Sequence, residues 1–300
     1  MLEKDLKKMA EEHEIDKIGW FKSANFPLYL QAIESRKEYS RIKYRSLEKF
    51  RQIACVPDQF RTVIVLVADY WIGNDYQGKG LKVANYCRAC WQTLMPKVEA
   101  VLDYLRKQGL KAEELGLPAR ASACLAGLGF IGKNTMFYAD DIGSYVGIST
   151  IGIDAELEES RKGKERVCHA GCAKCSRCVK ACPTHAIDKN GYGINPLRCI
   201  SMLNRHPDEP AVELPSSGAV LNHWLLGCEQ CQDVCPLNRK ARHKKNVVVV
   251  PELNANGMTI PNTAEIYERI VHDRISSVKS PGYRNYIGKL LEEKNKNAEG

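Results

Sequence analysis

A chain of 300 residues is too long for one typical domain and about right for two, given domains of roughly 150 residues. At 44% hydrophobic and 27% charged residues, the composition is that of a folded globular protein and excludes disorder throughout. Forty-four Lys and Arg against 36 Asp and Glu leave a net charge of +8, which points toward a polyanionic partner or an acidic redox partner.

The first residues, Met1 to Lys8, are charged and have no apolar core segment, twin-arginine pair or small-residue cleavage site, so a cytoplasmic protein is expected. Leu6, Met9 and Ala10 recur at helical spacing and predict a helix over 4–14, after which 15–20 turn extended. Residues 32–60 are polar and cationic, with Arg36, Lys37, Arg41, Lys43, Arg45, Lys49 and Arg51 at loose helical spacing, and read as solvated helix faces. The β-branched run over 62–69 predicts a buried strand, and 83–107 a long helix. Cys87 and Cys90 lie one turn apart on that helix and read as small core residues. A glycine-rich segment at 126–136 leads to a further strand near 144–154, and the charged stretch 156–166 reads as a linker. The longest apolar runs, such as 62–68 and 247–250, fall far short of the roughly 20 residues of a membrane span, so no membrane association is expected.

This pattern predicts an α/β (α+β) domain over 1–160, a cysteine module over 161–240, and a tail over 241–300. A basic run, 239–245, leads from the module into the tail, which carries an amphipathic helix that includes Ile266 and Ile270.

Thirteen cysteines are present and eight of them fall between Cys172 and Cys235. In a reducing compartment such clustering reads as metal ligation before disulfides. The first run, Cys172-x2-Cys175-x2-Cys178-x3-Cys182-Pro183, is the bacterial ferredoxin pattern; the second is Cys228-x2-Cys231-x3-Cys235-Pro236, with Cys199 upstream. Three thiolates at this tight pitch curl around one cube face, whereas the fourth, just before a proline, crosses to the other cube. Cys172, Cys175, Cys178 and Cys235 are therefore assigned to one [4Fe–4S] cluster, and Cys182, Cys199, Cys228 and Cys231 to a second. A four-cysteine zinc site needs only two CxxC pairs, and here both halves end in Cys-Pro. Each oxidised cluster with its thiolates carries about −2, which brings the +8 chain to about +4. Lys174, Arg177 and Lys180, between the ligands, offset part of that charge, and Cys168 is a spare thiol.

In the glycine-rich segment, Gly127, Gly129 and Gly132 allow backbone to approach a ligand, while Lys133, Asn134 and Thr135 offer donors for amides or a phosphate. Neither a P-loop nor a dinucleotide fingerprint is present, which disfavours ATP and NAD.

Together, Gly127-Leu-Gly-Phe-Ile-Gly-Lys-Asn-Thr135, Gly143-Ser-Tyr145, the cysteine pattern, Arg198-Cys-Ile-Ser201 and the Gly227 to Pro236 segment resemble epoxyqueuosine reductase. That family is similar in turn to the corrinoid reductive dehalogenases. The resemblance runs from about residue 6 to 290. It implies a nitroreductase-like domain holding cobalamin base-off, followed by a bacterial 2[4Fe–4S] ferredoxin-like domain. It implies electrons from a donor such as ferredoxin or flavodoxin, passed through the clusters to cobalt, and a tRNA substrate in queuosine biosynthesis. Gly127, Gly129, Gly132, Lys133, Asn134, Thr135 and Ser144 are the implied corrinoid contacts. The family's general acid is an aspartate before the glycine loop, and counting back from the loop reaches Glu113. Where the family shows Asp-Tyr-His, this chain has Trp91-Gln-Thr93. Full-length members carry a helical-repeat domain after the module that helps hold tRNA. Here about 65 residues follow Cys235, so weaker tRNA binding is expected. The rival reading is a ferredoxin-type electron-transfer protein with no corrinoid of its own.

Overall fold

The computed structural model describes residues 2–43, 45–73, 82–158, 160–161, 163–165, 169–206 and 224–239. The expected tail helix and Cys168 lie outside the described residues.

Chain order runs α1 (Leu2–Glu12), β1 (Lys17–Lys22), α2 (Pro27–Glu34), α3 (Lys37–Ser40), α4 (Leu47–Ile53), β2 (Thr62–Asp69) and β3 (Lys82–Val83). A π-turn (Tyr86–Cys90) opens α5 (Trp91–Lys107), followed by β4 (Ala112–Leu115), α6 (Ala119–Leu125), β5 (Gly129–Ile131), β6 (Phe137–Ala139) and β7 (Val146–Ile153). The cysteine segment adds α7 (Ala170–Ala173), α8 (Arg177–Ala181), α9 (Ile200–Arg205), β8 (Trp224–Leu226) and α10 (Gln230–Asp233).

Four strands form an antiparallel sheet in the order β1-β2-β7-β4. The β-branched run of β2 lies in its centre and is buried from Thr62 to Ala68, because both faces of the sheet are covered. Ile64, Leu66 and Ala68 pack with Trp20 and Ile151 against Leu6 and Met9 of α1 and Val98, Val101 and Leu105 of α5. Val63, Val65 and Val67 face the opposite layer, which contains Ala121, Ala123 and Cys124 of α6 and Phe137 of β6. Each such aliphatic side chain contributes about 1.5–3 kcal/mol on burial, so the period-2 alternation of β2 sets its register against both helical layers. The result is a mixed α/β fold, as expected.

Two elements depart from the expected pattern. The helix predicted over 83–107 begins as a strand residue and a π-turn: Lys82 and Val83 pair in parallel with Trp224 and Leu226 of β8, and only then does the chain coil. The wider turn carries Cys87 and Cys90 against Gly227 and Gly147, where a Cβ would come within 3.0 and 2.7 Å of the respective sulfurs. The glycine-rich segment is not an open loop but the two-stranded hairpin β5–β6. Two residues of the charged stretch after β7 are anchored to the preceding elements. Ser160 Oγ accepts from Trp20 N at 2.9 Å, and Glu165 caps the start of α2 through Leu28 N (3.0 Å) and Tyr29 N. No helix among the described residues is long and apolar enough to cross a membrane.

Candidate iron–sulfur centre and adjoining cleft

The two cysteine runs fold into short helices whose ends carry the thiols. His169 Nδ1 accepts from Gly171 N at 3.0 Å and starts α7, which bears Cys172; Cys178 lies on α8. Cys235 arrives from the other half, just ahead of a 3-10 turn begun by Pro236. Cys172, Cys175, Cys178 and Cys235 line one small void together with Lys133, Asn134, Tyr138 and Arg177. Burial, and then the proximity of Cys235, push the Cys178 thiol up to about 11.

The other four thiols form a second group. Burial raises Cys228 well above the ordinary thiol range, and Cys231, Cys199 and Cys182 act on it in turn. Burial likewise raises Cys231, with Cys199 and Cys182 as its next neighbours and then Cys178, so the two quartets adjoin. Ala186 N donates to Cys182 Sγ at 3.3 Å. Thiols held protonated by burial release those protons when they ligate metal. Among the described residues no three His, Cys, Asp or Glu side chains converge on one point; the first quartet rings a void instead.

The hairpin and the start of β7 hold this module in place. Asn134 Nδ2 donates to the Tyr138 hydroxyl (3.0 Å) and to the Cys231 carbonyl (3.3 Å), while Lys133 Nζ donates to the Ala173 carbonyl (2.9 Å). Phe130 stacks on both Tyr138 and His169. Ser144 is buried; its N–H donates to Asn238 Oδ1 and its hydroxyl to Gln232 Oε1, both at 2.8 Å. Tyr145 donates to Asp233 at 2.6 Å. At the π-turn, Asn85 Nδ2 (2.9 Å) and Tyr86 N (3.2 Å) donate to the buried Glu229, whose carboxyl burial pushes up to about 7. Nothing in the spacing of Asn85, Gln232 or Asn238 singles them out, because their role exists only once the two parts meet.

The residues implied as corrinoid contacts are thereby placed. Gly129 lies against the Tyr138 backbone, where a Cβ would sit 2.0 Å from the carbonyl oxygen; Gly132 lies against the Tyr138 ring, and Gly127 against Arg161. Lys133, Asn134 and Ser144 bond to the module. Thr135, at φ +62°, is the member of the set that lines a neighbouring cleft. Glu113 is not brought to the cysteines. It sits half-exposed on β4, opposite Gly152 and 3.9 Å from Lys111 Nζ. That is roughly 20 Å along the strand from Tyr145, the end of β7 that touches the module.

The cleft has a volume of about 460 Å³ and lies between the α2–α4 layer, the hairpin and residues 192–194 of the module. Its walls are apolar at Leu28, Ile33, Leu117 and Ile131, and polar at Tyr39, Arg36, Arg45 and Arg120. Arg36 pairs with Asp188 of the module, and Arg120 donates to the Thr135 carbonyl at 2.8 Å. The Arg120 charge also acts on Cys199, one thiol of the second quartet.

Residues 171–238 match the 4Fe-4S double cluster binding domain. A mixed α/β fold carrying that module defines the class, an iron–sulfur oxidoreductase. Within it the chain resembles epoxyqueuosine reductase. The enzyme of that name from Prochlorococcus marinus (strain NATL2A) is 23% identical over 256 residues, which are 80% of this chain and 79% of the relative. A crystal structure of epoxyqueuosine reductase with an epoxyqueuosine-modified tRNA-Tyr stem loop has the same fold, with a TM-score of 0.73 at 21% identity over 99% of this chain and 82% of that one. The fold extends to a reductive dehalogenase solved in connection with B12-dependent dehalogenation, with a TM-score of 0.53 at 15% identity over 95% of this chain and 37% of that one.

Proposed function

We propose that this chain is a reductase in which Cys172, Cys175, Cys178 and Cys235 hold one [4Fe–4S] cluster and Cys182, Cys199, Cys228 and Cys231 a second, with the cleft as the site of reduction. The observation that carries it is the grouping of the thiols: Cys235 joins the first run across the module, and Cys178 reaches the second quartet. Clusters so held supply single electrons, and a cobalamin in the cleft would supply low-valent cobalt for a reductive step. The cleft chemistry fits such a group in kind. Leu28, Ile33 and Ile131 offer apolar contact for a macrocycle, while Tyr39, Thr135 and the arginines offer hydrogen-bonding groups for amides or a phosphate. A volume of about 460 Å³ suits a drug-sized ligand, so a corrinoid would extend beyond it toward solvent. Arg120, between Thr135 and Cys199, is the residue placed to set the polarity between cluster and cleft.

The division at about residue 160 belongs to this reading, with a cofactor domain over 1–160, a cluster module over 161–240 and a tail over 241–300, as does a cytoplasmic location. A one-electron carrier such as ferredoxin or flavodoxin would supply the electrons. The name of the relatives and the stem-loop complex suggest epoxyqueuosine in tRNA as the substrate class, and Arg45 and Arg120 are cations suited to phosphate at the cleft. One observation favours the second reading, an electron-transfer protein without its own corrinoid: Gly127, Gly129, Gly132, Lys133, Asn134 and Ser144 all face protein.

The deciding experiment is anaerobic reconstitution with iron and sulfide, then hydroxocobalamin, then gel filtration. Corrinoid absorbance that travels with the protein supports the reductase. Iron–sulfur absorbance alone supports the electron-transfer protein.

A further inference from the structure

The segment from His169 to Ile187 contains Lys174, Arg177 and Lys180 and no Asp or Glu. All three cations are exposed and alternate with the half-buried Cys172, Cys175 and Cys178. Among the described residues no carboxylate forms an ion pair with any of them. Arg177 also lines the void of the first quartet, so the charge begins at the centre and continues outward. An oxidised cluster with four thiolates carries about −2, and three cations at its rim outweigh that locally. The exposed side chains of Lys174, Arg177 and Lys180 therefore lie at the edge of the module beside the first quartet.

We propose that this rim of Lys174, Arg177 and Lys180 is the docking surface for a small acidic one-electron carrier protein. The inference rests on the two-cluster reading above and adds to it where the donor engages and by what charge. For a flavin carrier, one electron leaves the anionic hydroquinone, which becomes the neutral semiquinone, and the first centre passes from [4Fe–4S]2+ to [4Fe–4S]+. No proton moves and no bond is made. Orientation of the partner by a fixed patch raises the rate of encounter and makes it sensitive to salt.

The test uses reconstituted holoprotein and oxidised bacterial flavodoxin as the probe, with equilibrium binding followed by calorimetry at low and high sodium chloride. Affinity should fall by about tenfold or more on going from roughly 20 to roughly 300 mM salt. Lys174→Glu combined with Lys180→Glu should weaken binding about tenfold or more at low salt and remove most of the salt dependence. Iron and sulfide per chain, and photoreduction of the clusters by a small deazaflavin, should stay as in wild type. Unchanged flavodoxin affinity in that variant overturns the proposal, as does a variant that loses affinity only for a tRNA stem loop. If the double glutamate variant fails to hold clusters, the Lys174→Gln, Lys180→Gln pair takes its place, with a weakening of about threefold expected and equal affinity again contradicting docking. Failure of the underlying reading looks different, because wild-type protein would then hold no clusters and deazaflavin would find nothing to reduce.

Discussion

The hydroxyl of the buried Tyr138 accepts from Asn134 Nδ2 at 3.0 Å and is left to donate to Cys235, the thiol that crosses from the second cysteine run to the first quartet. Burial and then the Cys235 thiol hold the phenol well above its usual titration range, so it is a neutral donor at any working pH. A hairpin that reads in the sequence as a ligand loop therefore delivers a hydrogen bond to a sulfur of the first quartet.

Reduction adds negative charge to a cluster, so a donor on its sulfur favours the reduced form and raises the potential. Tyr138→Phe should lower the potential of the first cluster by about 20–60 mV, from a net hydrogen bond of about 0.5–1.5 kcal/mol. Spectroelectrochemical titration reads this directly, and the second cluster serves as the internal control.

Gly129 shows how close approach, rather than a left-handed backbone, fixes a glycine. A Cβ there would lie 2.0 Å from the Tyr138 carbonyl oxygen, so Gly129→Ala must push β5 away from β6. Such overpacking costs about 1–3 kcal/mol or more, and it should appear as a lower urea midpoint together with partial loss of iron, since the same hairpin holds Asn134 and Tyr138. Loss of corrinoid alone, with iron and stability intact, would return the glycine to the role expected from the sequence.

Burial, with Arg205 and Arg45 nearby, holds His206 down at about 4 against an ordinary 6.5. The unfolded chain therefore binds a proton in this interval that the folded chain does not. The stability this contributes is fully present above pH 6.5 and is lost as pH falls toward 4. His206→Gln should flatten the decline of the urea midpoint between about pH 7 and about pH 5, while wild type keeps the steeper slope.

Much of this was legible beforehand. The run over 62–69 became β2 at those bounds because β-branched residues in unbroken series fit only a strand covered on both faces. The cysteine module was legible from spacing, and residues 171–238 match the 4Fe-4S double cluster binding domain; the division of its thiols into two quartets is part of the proposal. The π-turn at Tyr86–Cys90 was hidden, because an apolar period of 3.6 does not distinguish a wider first turn imposed by pairing with β8. Hidden too was the part played by Lys133, Asn134 and Ser144. A glycine-rich stretch with donors at its end fits a ligand or a docked domain equally well, and the contacts with Ala173, Cys231 and Gln232 are visible only in the fold. Glu113 was reached by counting, and strand pairing places it far from the thiols.

The most direct test of the two-quartet arrangement is iron and acid-labile sulfide per chain after anaerobic reconstitution, measured for wild type and for Cys178→Ala. Wild type should hold about eight of each, and Cys178→Ala should lose one cluster while keeping an EPR signal from the other. About four irons in wild type, or zinc in their place, would contradict the account.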